Sequence, residues 1–468
     1  MSSSYASVTL GPVRLHGVTV SLRPPTFGDF AEWRRIRLRD RDCLEPYWFR
    51  SPSTWEQRHT AIRWVRECLT ARAEARTGRR VSTVLEVDGR FAGQFELVGI
   101  DSGAAELSVW VDAEVARRGA SGLAGSLLLD FGFDTVGLDR ITAPIAVTNA
   151  GARRAVGQRW TKEAVMVGYF DVGSGRVDHE LWSVTSDRAP VGGFAADWLD
   201  GYRTAHPSAR SARTAGGAGA EARLPGTGEH GAGTPPRGSA DSVVTDATVP
   251  LSTILRARAR YCLGRIRHVV DPLRATNPGT ARQGQVALRP WRRNDFRPRR
   301  AARIAARSLL APTSAPEKWA RRHTRREWWR AKAAARAGLR GRHGAVLVVE
   351  VAGHYVGECR LFDRDMFDRN IRAAVWVAPE TRPEIAITAL RLLITHATET
   401  LGIWRLTLAV PSADVAGAAV ALAAGLRHEG TMHRYRGVDG ELADHELWAL
   451  STAHTTAQCL SGAGGEPA

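Results

Sequence analysis

Between Glu106 and Phe133 the chain sets a strand-like run beside a turn of very small residues. Glu106-Leu-Ser-Val-Trp-Val-Asp112 is β-branched and aromatic. A little further on, Gly119-Ala-Ser-Gly122 opens an apolar helix that runs through Leu127, Leu128 and Phe131. Small residues let the backbone come close to a ligand, and the first-turn N–H groups of a helix have no partner inside it. The turn therefore predicts an anion site suited to a pyrophosphate. Arg117 and Arg118, just ahead of it, would add charge-assisted hydrogen bonds. Other chemistries find little support. There is no His/Cys spacing for zinc, no Gly-x-Ser-x-Gly elbow and no P-loop. Gly226-Thr-Gly-Glu-His-Gly231 spells a dinucleotide-type glycine string, but it has no strand before it and no apolar helix after it.

The elements that must position this turn occur twice. Asp-His-Glu-Leu-Trp stands at Asp178 to Trp182 and again at Asp444 to Trp448, 266 positions on. Val20 to Pro24 matches Val286 to Pro290, and Val109-Trp110-Val111 matches Val375-Trp376-Val377, at the same offset; Arg140 matches Arg405 at 265. So long a period means a fusion of complete domains rather than a solenoid. Each copy reads as strand, helices, a hairpin at Asp88-Gly89 or Ala352-Gly353, the strand ending in Val-Trp-Val, a helix, a further strand, a helix and a closing strand pair. The expected fold class is α/β, layered α+β: two tandem domains, each a mixed, mostly antiparallel sheet flanked by helices. The expected boundaries are 8–190 and 282–452. A flexible Gly/Ala/Ser/Pro-rich linker over 203–250, a basic amphipathic helix over 251–271 and a disordered tail over 453–468 complete the chain. His179 and His445, inside the repeated pentapeptide, are expected to be packed or hydrogen-bonded.

From the strand through the helix, the sequence resembles the GNAT acetyltransferase superfamily, and within it the ribosomal-protein N-terminal acetyltransferases of the Rim type. The family's pyrophosphate-loop pattern, Gln/Arg-x-x-Gly-x-Gly/Ala, falls on Ala116, Arg117, Arg118, Gly119, Ala120 and Ser121. The resemblance extends over most of 18–184, including Leu22-Arg-Pro24, Gly137-Leu-Asp-Arg-Ile141 and Asn149. It implies acetyl-CoA as co-substrate, held at its pantetheine by the Val109, Trp110 and Val111 backbone. Arg117, Arg118, Gly119, Ser121 and Gly122 would hold its pyrophosphate. It implies direct transfer from thioester to amine, with Glu106 as base through a water, the Val111 N–H polarising the thioester carbonyl, and Asn149 positioning cofactor and acceptor. The family's serine three residues after that asparagine is Ala152 here. A protein N-terminal α-amine, with a pKa of about 7.7 to 8, needs less base assistance than a lysine at about 10.4, so an α-amine or a small-molecule amine is the expected acceptor.

The second copy departs at the turn. It reads Pro379-Glu-Thr-Arg-Pro-Glu-Ile385, with Glu384 in the place of Gly119 and Asp414 in that of Asn149. A carboxylate repels a pyrophosphate, so this copy is expected to be degenerate and inactive. The chain carries net +17, with arginine clusters concentrated between Arg282 and Arg342. That block keeps a second reading open: a non-catalytic acyl-CoA-binding or ribosome/RNA-associated scaffold. An intramolecular pseudo-dimer is a further expectation. The five cysteines (Cys43, Cys68, Cys262, Cys359, Cys459) are scattered and odd in number, and neither a signal peptide nor a long apolar run appears. The cytoplasm is therefore the expected location.

Overall fold

The computed structural model describes residues 4–116, 118–156, 159–172, 175–205, 249–270, 280–311, 314–341, 344–365, 368–436 and 442–452, without the side chains of 262–270 and 336–341. Arg117, most of the expected linker and the expected tail lie outside the described residues.

The first half forms β1 (Leu10–Leu15), β2 (Val18–Arg23), β3 (Val81–Val87), β4 (Arg90–Asp101), β5 (Ala104–Val111), β6 (Arg140–Ala146), β7 (Thr161–Asp171) and β8 (Arg176–Thr185). The second forms β9 (Ala281–Gln283), β10 (Val286–Pro290), β11 (Ala345–Val351), β12 (His354–Phe362), β13 (Asn370–Val377), β14 (Arg405–Pro411), β15 (Arg427–Arg436) and β16 (Leu442–Ser451). One sheet runs β1-β2-β3-β4-β5-β6-β8-β7-β15-β16-β14-β13-β12-β11-β10-β9, so the halves repeat one strand order and meet where β7 pairs with β15. Every described pairing is antiparallel except β5 with β6 and β13 with β14. The result is a mostly antiparallel mixed sheet with helices on its faces.

Two layers cover each half. In the first, α1 (Phe30–Arg39) and α2 (Ala61–Arg76) put Trp33, Ile36, Trp64 and Cys68 on one face of the sheet, against Val84, Phe91 and Trp110. On the other face α3 (Ala120–Asp130) buries Leu123, Ala124 and Leu128 against Leu22, Leu85, Leu97 and Ile141. Complete burial of each leucine stabilises the fold by about 1.5–3 kcal/mol. A short α4 (Ala150–Val156) follows β6.

Three elements differ from the sequence reading. β1 adds an edge strand beside β2, and the three-residue β9 does the same beside β10. A helix, α5 (Phe194–Ala205), occupies the stretch where the first domain was expected to have ended, and it runs into the start of the expected linker. Its Phe194, Trp198, Leu199 and Tyr202 recur at helical spacing and pack on the α3 side of the core. The Asp130 carboxylate accepts from the N–H groups of Phe194 (2.6 Å) and Ala195 (2.9 Å), which fixes where the helix starts. The basic α6 (Leu251–Val270) packs on α2, with Ile254 and Ala257 beside Val65 and Leu69. Among the described residues no helix is long and apolar enough to cross a membrane.

The junction between halves is nearly self-complementary. Arg140 pairs with Glu163 and donates to the His433 carbonyl (2.6 Å), while Glu163 accepts from the His433 N–H (2.9 Å). Across the junction, Arg405 pairs with Glu429 and donates to the Val167 carbonyl (3.0 Å), and Glu429 accepts from the Val167 N–H (3.1 Å). Both ion pairs are buried. Met166, Leu181 and Tyr169 meet Met432, Leu447 and Tyr435 in a shared apolar cluster. This is the isologous pattern of a two-fold dimer, made within one chain.

Candidate active site

The site starts where two strands part. β5 and β6 run parallel only over Ala104–Glu106 against Arg140–Thr142, and the ladder ends at Glu106. Beyond it β5 still pairs with β4 as far as Val111, so the β6-facing backbone groups from Leu107 to Val111 have no strand partner among the described residues. Unpaired backbone N–H and C=O groups need a substitute, and an amide-bearing chain lying in the gap supplies one. Val109 leaves 42% of its surface exposed at this edge, unusual for a valine in the middle of a sheet.

Alternation along β5 sorts its side chains. Ala105, Leu107 and Val111 join the core beneath α3. Glu106, Ser108 and Trp110 take the opposite face, where the Trp110 indole N–H donates to Gln94 at 2.8 Å. On that face the Arg37 guanidinium lies between Trp48 and Trp110, 3.9 and 4.0 Å from the ring centres. Its Nε and Nη1 make no hydrogen bond among the described residues, and burial lowers its pKa to about 9. The sequence reading passed over Arg37; an arginine on the apolar face of α1 was the available signal. Glu106 is partly buried, and its carboxyl is pushed up to about 7, first by burial and then by the Asp365 and Asp368 carboxylates of the second half.

The loop after β5 is held by charge. Arg39, at the end of α1, pairs with both Asp40 and Asp112, and Asp40 also accepts from the Ala113 N–H at 2.9 Å. Gly119 then adopts φ +85°, a left-handed conformation suited to glycine, and α3 begins at Ala120. Gly119 and Gly122 also have a packing reason to be small. A Cβ on Gly119 would lie 2.6 Å from Tyr202, and one on Gly122 would lie 2.4 Å from the Trp198 indole. The glycines thus seat α5 against the start of α3. Ser121 is partly exposed in the first turn, and Arg118 is exposed just before it.

Asn149 sits after β6. Its carboxamide oxygen accepts from the Ala152 N–H (3.1 Å) and caps α4. Asp414 does the same for the second half's equivalent helix, accepting from the Gly417 N–H at 2.8 Å. His179 is buried, its Nδ1 3.1 Å from the Val177 carbonyl.

The second half is built differently at each of these points. Its parallel ladder, β13 with β14, runs one rung further, to Ala373–Leu408. In that register Arg372 takes the place of Glu106, pairing with Asp363 at 2.8 Å and stacking over Tyr435. Helix α7 (Pro383–Thr395) starts after a five-residue loop where the first half has eight, with Glu384 in its first turn. A cavity of about 580 Å³ lies between the helix Phe296–Ala305 and the Ala378–Arg382 loop. Ala305 and Ala378 line it, at the sequence positions that match Arg39 and Asp112 of the first half's ion cluster. It lies in the other half from the notch at Glu106.

Comparison with known proteins then decides the family. Residues 19–158 match the acetyltransferase (GNAT) domain family. A Mycobacterium smegmatis RimJ, solved in complex with CoA-disulfide, is 31% identical over 43% of this chain and 98% of its own, at a TM-score of 0.41. The chain belongs to the GNAT acetyltransferases, in their Rim-type branch. Two other solved acetyltransferase structures align at lower identity. A putative ribosomal-protein-serine acetyltransferase of Vibrio cholerae is 16% identical over 38% of this chain and 99% of its own, with a TM-score of 0.32. A RimL ribosomal L7/L12 α-N-protein acetyltransferase in complex with coenzyme A is 14% identical over 39% and 99%, with a TM-score of 0.35. No curated protein matches the sequence.

Proposed function

We propose that the first half transfers acetyl directly from acetyl-CoA to an amine, either a protein N-terminal α-amine or a small-molecule amine. One observation carries the reading: β5 and β6 part immediately after Glu106, beside a helix that begins at a left-handed glycine. The unpaired Val109–Val111 edge suits the pantetheine amides, and the Val111 N–H is the donor for the thioester carbonyl. Gly119 to Gly122, with Ser121 and Arg118, suit the pyrophosphate; Arg117 belongs to the same role by sequence. Glu106 acts as base through a water, since a carboxyl near 7 is far better matched to an α-amine than one at the usual 4.5. Asn149, whose oxygen is committed to capping, offers its NH2 to the cofactor or acceptor. The second half, a degenerate copy on this reading, has Arg372 for Glu106 and Glu384 in the anion-binding turn. It transfers nothing.

Ser121→Glu in the full chain tests the anion site. The glutamate enters the first turn of α3, where a carboxylate favours the helix, so folding is retained while the pyrophosphate is repelled. Calorimetry is expected to show acetyl-CoA binding to the wild type and at least a tenfold weakening in the variant at unchanged Tm. A wild-type chain that binds no acetyl-CoA ends this reading.

The scaffold reading draws on the exposed arginines of the second half, among them Arg321, Arg322, Arg325 and Arg326. RNA binding that falls steeply with salt, in a chain without transferase activity, would favour it.

A further inference from the structure

Helix α2 of the first half is covered by α6, and its counterpart in the second half stands open. With His59 matched to His323 and Trp64 to Trp328, α2 corresponds to the helix Arg325–Gly341. The face that α2 turns to α6 is apolar: Ala61, Ile62, Val65 and Leu69 meet Ile254 and Ala257. At the same four positions the second half has Arg325, Arg326, Trp329 and Ala333, all exposed, and Trp329 leaves 51% of its surface open. The charge balance changes in the same layer. In the first half, Arg35 is neutralised by Glu32 (2.8 Å), and Arg41 by Glu45 (2.6 Å) and Glu56 (3.1 Å). Those three carboxylates correspond to Pro298, Ala311 and Ala320. Of the carboxylates left between Arg292 and Arg330, Asp295 is buried against Arg289 and Glu327 pairs with Arg299, so Glu317 alone is uncommitted among the described residues. Arg297, Arg300, Arg321, Arg322, Arg326 and Arg330 are exposed and make no ion pair among the described residues. The helices that carry them, Phe296–Ala305, Pro316–Arg322 and Arg325–Gly341, pack together. The Trp319 indole N–H donates to the Arg303 carbonyl at 2.7 Å, the Phe296 and Trp328 rings meet at 5.9 Å, and Arg325 lies over Phe296.

We propose that this face of the second half binds a single-stranded nucleic acid, with the arginines taking its phosphates and Trp329 stacking on an unpaired base. Guanidinium forks match phosphate oxygens two at a time, and a base laid on an indole needs no particular sequence. A partner helix like α6 fits less well. Arg325 and Arg326 stand where its apolar side would rest, and Ala333 replaces the leucine that would pack beneath it. An anionic membrane matches the charge, but the face lacks the apolar stripe that lies in a lipid interface. Two copies of one fold thus treat one helix face in opposite ways. The first closes it with its own chain, and the second strips the carboxylates around it and leaves an aromatic ring in the open. The binding is independent of the acetyl transfer proposed for the first half.

The test is fluorescence anisotropy of a labelled oligouridylate, about 20 nucleotides long, with the full chain. Six engaged arginines on a single strand should weaken binding by about a few hundredfold between about 50 and 200 mM salt. Arg297→Gln, Arg300→Gln, Arg322→Gln and Arg326→Gln together should weaken it at least about tenfold at the lower salt and flatten the salt dependence. Arg14→Gln, Arg63→Gln, Arg66→Gln and Arg90→Gln, exposed in the first half, remove the same net charge elsewhere and should leave affinity within about twofold of the wild type. Trp329→Ala should weaken binding to the single strand by about five- to a hundredfold and binding to a duplex of the same length much less. Equal losses in the two fourfold variants reduce the effect to net charge and overturn the proposal. So does a wild type that binds no oligouridylate at the lower salt, a Trp329→Ala chain that binds it undiminished, or a wild type held more tightly by anionic lipid vesicles than by the strand. The wild-type comparison needs no variant to fold, and acetyl-CoA calorimetry on the same chain reports on the transferase reading separately.

Discussion

Replacing Glu106 with Gln should make the protein more stable and less active, and the two effects should separate with pH. A carboxyl carried from its ordinary 4.5 to about 7 holds its proton more tightly in the folded chain than in the unfolded one. At about 1.4 kcal/mol per tenfold change in proton affinity, the difference reaches about 3 kcal/mol at most, and partial solvent access at Glu106 brings it toward about 1–3. The sign follows from the direction of the shift. Because the folded value is the higher one, this stabilisation is fully present below about 4.5 and is lost as pH rises through 7. Glutamine has nearly the same shape and no charge to bury. Wild type and variant should therefore melt together near pH 4, diverge between 4.5 and 7, and keep a constant gap above that. For a domain of this size 1 kcal/mol moves the midpoint by about 2–4 °C, so the gap at pH 8 should be several degrees in favour of the variant. Initial rates with a saturating α-amine should fall by at least about a hundredfold, the lower end expected for loss of a general base. Thermal unfolding at four pH values and constant ionic strength checks the first half of this, and acetylation rates check the second. A melting gap that does not vary with pH refutes the burial argument. A variant that keeps full rate refutes Glu106 as base.

Two further outcomes follow from packing. Gly122→Ala should cost about 1–3 kcal/mol, because its methyl would lie 2.4 Å from the Trp198 indole, and most of that cost should disappear when Trp198→Ala is added; equal penalties in both backgrounds would deny the α3–α5 seat. Arg405→Met should destabilise by about 3–5 kcal/mol because Glu429 is left buried and unpaired, whereas Arg405→Met with Glu429→Leu should cost much less in thermal melts.

What the sequence could disclose was mostly local. The hairpin turns show in Asp88-Gly89 and Ala352-Gly353, the strand in Val-Trp-Val, and the helix start in Gly119, whose left-handed backbone fits the glycine. Helix α5 was also legible, in the spacing of Phe194, Trp198, Leu199 and Tyr202, which falls between the expected end of the first domain and the expected linker. β1 and β9 were harder to see. The first carries Gly11-Pro12 and buries only Leu15, and the second has three residues, so neither repeats a pattern long enough to register. The second job of Gly122 depends on Trp198, and the environment of Glu106 on Asp365 and Asp368. No local periodicity encodes such distant contacts. Asn149 illustrates a different limit: an Asx residue that caps a helix and one that holds a ligand look the same in sequence.

The repeated Asp-His-Glu-Leu-Trp gains a physical reason from the junction. A self-complementary contact needs the same residues on both sides, so Leu181 and Leu447 meet in one cluster, and His179 and His445 pack against Tyr169 and Tyr435. Arg140 with Glu163 and Arg405 with Glu429 are bound by the same requirement, each pair gripping the other half's backbone. A change on one side alone would leave a buried charge or a hole at the junction. Nothing comparable ties Glu106 to Arg372 or Asp112 to Ala378, because each acts only within its own notch or loop. Likeness between the halves therefore collects where they touch, and difference collects where a ligand would sit.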